Sequence, residues 1–255
     1  MPNTSIWMQA LPGLPAIKPG DDPVTLIEAG LTRADIALQT GDVLVVSSKI
    51  ISKAENRFVD LRTITPSPEA QILALTVQKD PRLVELILRN SSTVSRIAPG
   101  VLIVRHHLGF TSANAGIDAS NVGEDSEGIV LLLPEDPDRT AADLREHLES
   151  RHHVRLGVVI SDTHGRPFRF GNIGVAVGLA GIPALIDQRG DHDLFGRELK
   201  ATVTPLADEL AAAAGLISGQ ADEGQPVVLI RGVAWETVQH TAKDLIRPPE
   251  MDLYA

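Results

Sequence analysis

The chain contains no cysteine. This absence excludes disulfide bonds, zinc sites built on thiolates and catalysis by a cysteine nucleophile. Aromatic residues make up only 3% of the 255 residues, so aliphatic side chains must fill the core. Few aromatic rings also means few surfaces on which nucleic-acid bases could stack. With 43% hydrophobic and 22% charged residues, the composition is that of a globular protein with a buried core.

The chain has fewer positively charged than negatively charged residues. There are 23 Lys and Arg residues against 33 Asp and Glu residues, which gives a formal net charge of −10. A negative field repels phosphate backbones and anionic lipid, so we expect neither nucleic acid nor a membrane as a partner. An anionic nucleotide could bind only with local cations or metal ions at its site.

Long apolar runs are also absent. The aliphatic run over residues 129–133 is far too short to cross a bilayer. The first fifteen residues have neither a basic segment nor an apolar segment of the kind found in signal peptides. The sequence therefore predicts a cytoplasmic protein.

Helical and strand patterns mix along the chain without strict alternation. Apolar residues recur at helical spacing from Val24 to Gln39, and the string VLVVSSKII reads as a buried strand that becomes polar at its end. Ser67 and Pro81 mark two helix starts, Asp138 is predicted to cap a third helix, and Thr204 is the predicted N-cap of a fourth, before Pro205. The pattern predicts an α+β (mixed α/β) fold over residues 1–255, with no internal domain boundary.

Two polar loops carry candidate ligands. Residues 109–128 are rich in Gly, Ser, Asn and Asp, and residues 218–225 form a second polar loop. Long ordered loops in compact domains are often functional. Asp118 and Asn121 lie three residues apart in the first loop and suit Mg²⁺ together with a polar ligand. An Asx-turn, in which these side chains bond their own backbone, explains the same pattern equally well.

Two further strings follow buried strands. Ser48 and Lys53 offer a hydroxyl and an ammonium group to phosphate, although a solvated strand exit is the simpler interpretation. The sequence has neither GxxxxGK[ST] nor GxGxxG, so a nucleotide site here would belong to neither a P-loop nor a dinucleotide fold. In ISDTHG, Asp162 follows a buried strand, a common position for a metal ligand. Two nearby arginines, Arg166 and Arg169, could hold phosphate or carboxylate.

The string ISDTHG is also similar to the opening motif of calcineurin-like metallophosphoesterases. Those enzymes require several more histidines, whereas only His192 and His240 follow His164 in this chain. A two-metal phosphoesterase is therefore a poor fit. The glycines of GNIGVAVGLAG have a spacing that favours close packing of the backbone over phosphate binding.

Five segments in order resemble one family, the coenzyme F420-0:L-glutamate ligases, in the short form that has a single module. The segments are GLPAIKPGDD, GDVLVVSSKIISKAENR, NAGIDASNV, ISDTHGRPFRFGNIGVAVG and GQADEGQPVVLIRG. Each is weak alone, but five ordered matches over nearly the whole chain make a specific signal. The resemblance implies a non-P-loop nucleotide-binding fold with mixed sheets that usually forms a homodimer.

The resemblance also implies a reaction and a set of residues. It implies GTP-dependent addition of L-glutamate to F420-0, with further γ-linked glutamates in some members, and with Mg²⁺ or Mn²⁺ and also K⁺ as cofactors. An acyl phosphate would activate the F420-0 carboxylate, because a free carboxylate has no leaving group. Catalytic roles fall on Asp118, Asp162 and Lys53. Nucleotide contacts fall on Leu14, Pro15, Ala16, Ile17, Ser48, Lys53 and Asn121, and metal ligation on Asp118, Asp162, Thr163 and Gln220.

Two other classes of function stay open at this point. One is a metal-dependent phosphohydrolase, which would release phosphate without using glutamate. The other is a non-catalytic nucleotide-binding protein, which would show no turnover. The two separated aspartates and the dense polar loops favour the ligase over both.

Overall fold

A computed structural model describes residues 5–123, 126–236 and 238–252. Its centre is a five-stranded mixed sheet in the order β1-β12-β2-β8-β9, in which β2 and β8 are parallel and the other neighbours are antiparallel. The strands of this sheet are β1 (Trp7–Ala10), β2 (Asp42–Ser47), β8 (Leu156–Arg166), β9 (Arg169–Ala180) and β12 (Val227–Arg231).

Helices cover both faces of this sheet. They are α1 (Pro23–Arg33), α2 (Ser48–Ala54), α5 (Pro137–His152) and α6 (Leu206–Ser218). Apolar side chains of α1, α2 and α5 pack on one face around Leu44 and Val158, and α6 packs on the other face around Val45 and Val159. Because β2 and β8 are covered on both faces, they read in the sequence as continuous apolar runs.

A smaller layer with its own apolar cluster lies beside the central sheet. It contains α3 (Pro68–Val77), α4 (Pro81–Arg89) and a three-stranded antiparallel sheet of β4 (Ser91–Ala98), β5 (Val101–His106) and β6 (Thr111–Ala113). Two short pairs complete the described strands: β3 (Phe58–Asp60) with β7 (Ile129–Leu131), and β10 (Ile186–Asp187) with β11 (Val203–Thr204). The mixed sheets and six helices of the described chain confirm the predicted α+β class.

Two predicted elements end earlier than expected. The predicted strand VLVVSSKII stops at Ser47, and α2 begins at once. An apolar run does not distinguish strand from helix by itself, and here the side chains of Ile50 and Ile51 reach the core from a helix. Helix α1 ends at Arg33 and not near residue 39, because Asp35 adopts a left-handed conformation with φ 54°.

Two predicted caps were wrong. The side chain of Asp136 caps α5 by accepting from the Arg139 N–H, whereas Asp138 accepts from the N–H groups of Leu179 and Ala242. Helix α6 begins at Leu206 with Pro205 as its N-cap. Thr204 does not cap it, because this residue pairs with Ile186 between β11 and β10.

The glycines of β9 have the structural role that their spacing predicts. A Cβ at Gly174 would lie 2.4 Å from the carbonyl oxygen of Ala211 in α6, and one at Gly178 would lie 2.4 Å from the carbonyl carbon of Pro137 in α5. These two positions therefore allow helices to approach β9 from both sides. No helix in the described part of the chain is long and apolar enough to cross a membrane.

Candidate functional site

The candidate site lies where β2 and its parallel pairing with β8 end. Ser47 is opposite Ser161 in the register, so the next residues, Ser48 and Asp162, emerge side by side. The Ser48 hydroxyl lies 3.1 Å from the Asp162 Oδ1 atom and donates a hydrogen bond to it. The carboxyl ends of parallel strands are a common place for ligand sites in α/β sheets.

The second carboxylate oxygen of Asp162 also has a hydrogen-bonding partner. Asp162 and His164 are two residues apart in β8, so their side chains share one face of the strand. The His164 Nε2 atom lies 3.0 Å from the Asp162 Oδ2 atom. Ser48 and His164 together fix the orientation of the Asp162 carboxylate.

Aromatic rings support His164 from behind. The centroid of the Phe110 ring lies 4.9 Å from that of the His164 ring. Phe110 also stacks on the His106 ring, at a centroid distance of 5.1 Å. Burial lowers the pKa of His106 to about 4, and the nearby His107 adds to the effect. The neutral His106 accepts a hydrogen bond from the Leu108 N–H at its Nδ1 atom. This apolar stack therefore limits the movement of the His164 ring.

Two lysines on α2 provide the positive charge of the site. Lys49 and Lys53 are four residues apart and lie on the same face of the helix. The Lys49 ammonium is 3.2 Å from the Asp118 Oδ2 atom and also donates to the Ser120 carbonyl at 3.1 Å. Burial lowers the pKa of Lys53; the charge of Lys49 lowers it further and that of Asp118 opposes this.

The long polar loop brings Asp118 to the same place. Its backbone pairs with Leu131 of β7, which fixes the position of the residue. Burial raises the pKa of the Asp118 carboxyl, Lys49 opposes this shift, and the negative charge of Asp162 increases it. The two aspartates therefore lie close enough to repel each other, and a cation between them would relieve that repulsion.

The backbone of this loop is unusual just before Asp118. Asn114 and Ala115 both have φ of 54°, and Gly116 has φ of 65°. A Cβ at Gly116 would lie 2.7 Å from Leu133 Cδ1 and 3.4 Å from the Asp162 carboxylate. Left-handed conformations at non-glycine residues are often found at functional sites. This turn brings the loop backbone against Asp162.

A hydrogen bond between described residues connects the second polar loop to the first. The Asn121 side-chain amide donates to the Ala221 carbonyl at 2.9 Å. Gln220, the residue before Ala221, is exposed. The structure thus brings Asn121 and the loop of Gln220 together at the edge of the site.

The other predicted site residues lie further out. Thr163 is exposed and its side chain leaves β8 on the face opposite to Asp162. Ile17 packs in the core cluster that includes Ile50 and Ile51 of α2, and Leu14 lies against α1. Pro15 and Ala16, between these two residues, are exposed.

Lys49 and His164 belong to the candidate site but were not among the site residues that the sequence predicted. The i, i+4 spacing of Lys49 and Lys53 and the alternation of Asp162 with His164 were both visible in the sequence. These spacings show which side chains share a face, but they do not show which distant side chain each one contacts. Lys49, for example, pairs with Asp118, which is 69 residues further along the chain. That contact is a property of the tertiary structure.

The donors of the site suit a hard cation. Two carboxylates and nearby hydroxyl and carbonyl oxygens are ligands that Mg²⁺ and Mn²⁺ prefer. Within the described residues, no group of three or more His, Asp or Glu side chains forms a complete metal cage. An ion at this site would take its remaining ligands from water and from a bound phosphate, as is usual for Mg²⁺.

Comparison with known proteins identifies the family. Residues 13–232 match the family described as F420-0:Gamma-glutamyl ligase. The chain belongs to this family. All the residues described above for the site, from Ser48 to Ala221, lie inside the matched range.

Curated relatives cover nearly the full length of this family member. It is 46% identical over 242 residues to the coenzyme F420:L-glutamate ligase of Methanopyrus kandleri, covering 93% of each chain. The relative of the same name from Methanothermobacter thermautotrophicus is 45% identical over 244 residues, or 95% of this chain and 96% of the relative. The Haloarcula marismortui relative is 42% identical over 252 residues. The predicted family is therefore confirmed.

Proposed function

We propose that this protein ligates L-glutamate to coenzyme F420-0 with hydrolysis of GTP. The observation that carries the proposal is that Asp118, Asp162, Lys49 and Lys53 lie together where the parallel pairing of β2 with β8 ends. Family membership supports the amino-acid substrate, since the relatives are named coenzyme F420:L-glutamate ligase.

The reaction needs two transfers. First, a carboxylate oxygen of F420-0 attacks the γ-phosphorus of GTP, the bond to the β-phosphate oxygen breaks, and GDP leaves. The glutamate amine then attacks the carbonyl carbon of the acyl phosphate, the bond to the phosphate oxygen breaks, and the nitrogen loses a proton as the amide forms. Catalysis of the first transfer is largely a matter of positioning and of neutralising charge.

The chain's own residues fit this demand. Lys53 is partly buried and would hold a fixed positive charge against the phosphates. Lys49 is already paired with Asp118, so its charge also limits the negative potential of the site in the absence of nucleotide. Asp118 and Asp162 would hold Mg²⁺ or Mn²⁺, which supplies charge neutralisation at the phosphates when bound. Ser48 and His164 would keep Asp162 in place.

The remaining expectations from the family resemblance stay predictions. They are nucleotide contacts by Leu14 to Ile17, Ser48 and Asn121, and metal ligation by Thr163 and Gln220. K⁺ as a further cofactor, a homodimer and a cytoplasmic location belong to the same group. Since the Thr163 side chain lies on the far face of β8, a role in ligation would fall to its backbone carbonyl.

Mass spectrometry of the product tests the proposed function. F420-0 is incubated with the protein, GTP, Mn²⁺ and L-glutamate, and we expect the mass of F420-0 to increase by whole glutamyl units. Omission of glutamate is the control. Phosphate release without any mass increase would favour a phosphohydrolase, and an absence of turnover with retained GTP binding would favour a non-catalytic nucleotide-binding protein.

A further inference from the structure

A cavity of about 280 Å³ opens beside the candidate site. His164 lines the cavity and its ring also hydrogen bonds to Asp162, so this residue connects the cavity wall to the candidate site. The turn after β5, strand β9, the first turn of α6 and the segment from Leu245 to Asp252 enclose the rest. Ile246 closes one side, where a Cβ at Gly109 would lie 3.4 Å from its Cγ1 atom.

Charges of both signs line this cavity. Arg105 and Arg247 provide two guanidinium groups, and Asp208 and Asp252 provide two carboxylates. The Arg105 Nε atom donates to the Gly109 carbonyl at 3.1 Å, which holds this guanidinium against the wall. A lining of mixed sign suits a ligand that carries both charges, and it does not suit the triphosphate of a nucleotide.

Asp208 is positioned to receive a cation. Its Oδ1 atom accepts from the Ala176 N–H at 2.9 Å, which anchors the carboxylate on β9. Burial raises the pKa of this carboxyl, and the backbone hydrogen bond and His164 act in the other direction. An ammonium group within reach would stabilise the ionised form, so the carboxylate and an amine would favour each other's charged states.

The size and apolar parts of the cavity limit the ligand further. Val175, Leu245 and Ile246 supply aliphatic surface between the charged groups. Cavities that bury drug-sized ligands start at about 300 Å³, so the size of this one suits a small molecule. A short aliphatic chain with carboxylates at both ends and one amine matches the lining.

We propose that this cavity is the binding site of the L-glutamate acceptor, with Arg105 and Arg247 at its two carboxylates and Asp208 at its α-ammonium group. The inference rests on the proposed function, because it assigns one substrate of that reaction to a place. Glutamate bound here would lie beside His164, which contacts Asp162. Its ammonium group would pass a proton to the Asp208 carboxylate before the nitrogen attacks the acyl phosphate.

Steady-state kinetics of two variants tests the assignment. Arg247→Gln removes one guanidinium, and Asp208→Asn removes the negative charge but keeps the oxygen that accepts from Ala176. We expect each variant to raise the KM for L-glutamate by about tenfold or more, as loss of a charge-assisted hydrogen bond does. The KM for F420-0 and for GTP should change less than twofold. Arg197→Gln, at an exposed position, and Asp143→Asn, at a half-buried position on α5, both lie outside the cavity and serve as controls.

Glutarate separates the roles of the two charged groups, because it has both carboxylates but no amine. It should inhibit the wild-type protein competitively with glutamate and lose potency in Arg247→Gln. Asp208→Asn should bind glutarate at least as well as the wild type does. Glutarate has no ammonium group that Asp208 could contact, and the variant has one negative charge fewer to repel the carboxylates of glutarate. Equal losses of glutarate inhibition in both variants would overturn the assigned orientation.

Two further outcomes would overturn the proposal. One is a glutamate KM within twofold of wild type in both variants, and the other is a rise in the KM for F420-0 in place of glutamate. If the wild-type protein forms no glutamyl product, the proposed function itself fails.

Calorimetric titration with glutamate then tests the cavity alone. Heat of binding that is seen with the wild type and disappears in Arg247→Gln supports the glutamate site. Heat that is absent from the wild type, or unchanged in the variant, rejects the glutamate site.

Discussion

The Ser48 hydroxyl and the Asp162 carboxylate are 114 residues apart in the chain and 3.1 Å apart in space. Parallel pairing of β2 with β8 produces this contact, because it aligns Ser47 at the end of β2 with Ser161 of β8. One residue thus begins the helix that carries both lysines, and the other is the aspartate at the centre of the candidate site. The pairing of these two strands therefore sets how far the lysines of α2 lie from Asp162.

Replacement of either aspartate by asparagine should abolish ligation with the fold intact. Asp118→Asn and Asp162→Asn each remove a negative charge from the proposed metal site but keep the size of the side chain. We expect the rate of glutamyl transfer to fall by about a hundredfold or more, as loss of one electrostatic contact to a transition state does. Circular dichroism and melting temperature check the fold. Near-normal turnover in either variant removes that residue from the site, and Asp143→Asn is the matched control.

Lys53→Ala should weaken GTP binding more than it alters stability. Its ammonium is partly desolvated and close to Lys49, so in the free protein it gains little from its surroundings. Loss of a charge-assisted contact to phosphate should raise the Kd for GTP by about tenfold or more. Calorimetric titration measures this. Equal affinity of wild type and variant would reject the assignment of Lys53 to the nucleotide.

GTP should bind weakly when divalent metal is removed. The chain has a net charge of −10, and Asp118 and Asp162 already repel each other before a triphosphate arrives. Metal ions reverse the local sign and connect carboxylate to phosphate. Affinity for GTP should fall sharply with EDTA and recover on addition of Mg²⁺ or Mn²⁺. Equal binding with and without the chelator would show that no metal lies between protein and phosphate.

His106 should make the protein less stable in acid. Its pKa in the folded state is lowered from 6.5 to about 4, so the unfolded chain takes up a proton first as the pH falls. The stability that depends on neutral His106 is present above pH 6.5 and is lost as the pH falls towards 4. The loss can reach about 3 kcal/mol, since one pKa unit is worth about 1.4 kcal/mol.

Urea unfolding at pH 7 and pH 4.5 measures this dependence. His106→Gln, which does not titrate but keeps an acceptor for the Leu108 N–H, provides the comparison. The wild type should lose more unfolding free energy than the variant between the two pH values. Parallel losses in both proteins would mean that His106 does not contribute.

Gly178→Ala should destabilise the protein strongly. The added methyl group would lie 2.4 Å from the carbonyl carbon and 2.5 Å from the carbonyl oxygen of Pro137, and these backbone atoms cannot move aside as the end of a flexible side chain can. Overpacking of this kind costs about 1–3 kcal/mol or more. Gly215→Ala is the matched control, because a Cβ there meets no heavy atom within 4 Å and the residue lies inside α6. The control should be neutral or stabilising by up to about 1 kcal/mol, and thermal melts of both variants test the contrast.

The sequence alone determined the class of fold and the family, and it predicted candidate site residues, of which Ser48, Asp118 and Asp162 lie together in the structure. Apolar runs bounded by turn residues predict β2, β8 and β12, because strands covered on both faces must be apolar throughout. Ordered motifs with specific residues indicate the family, since catalytic and binding groups tolerate few substitutions. The predictions for helix caps were less successful, because Asp136 and Asp138 are equally good cap residues and tertiary hydrogen bonds decide between them.

Only the tertiary structure decided which of these residues meet. Lys49 pairs with Asp118 and His164 supports Asp162, and the cavity beside His164 includes an arginine from β5, an aspartate from α6 and residues near the C-terminal end. Local sequence sets backbone conformation and the face on which a side chain lies. Which distant side chains then come together depends on strand pairing and helix packing, whose energies are summed over the whole chain.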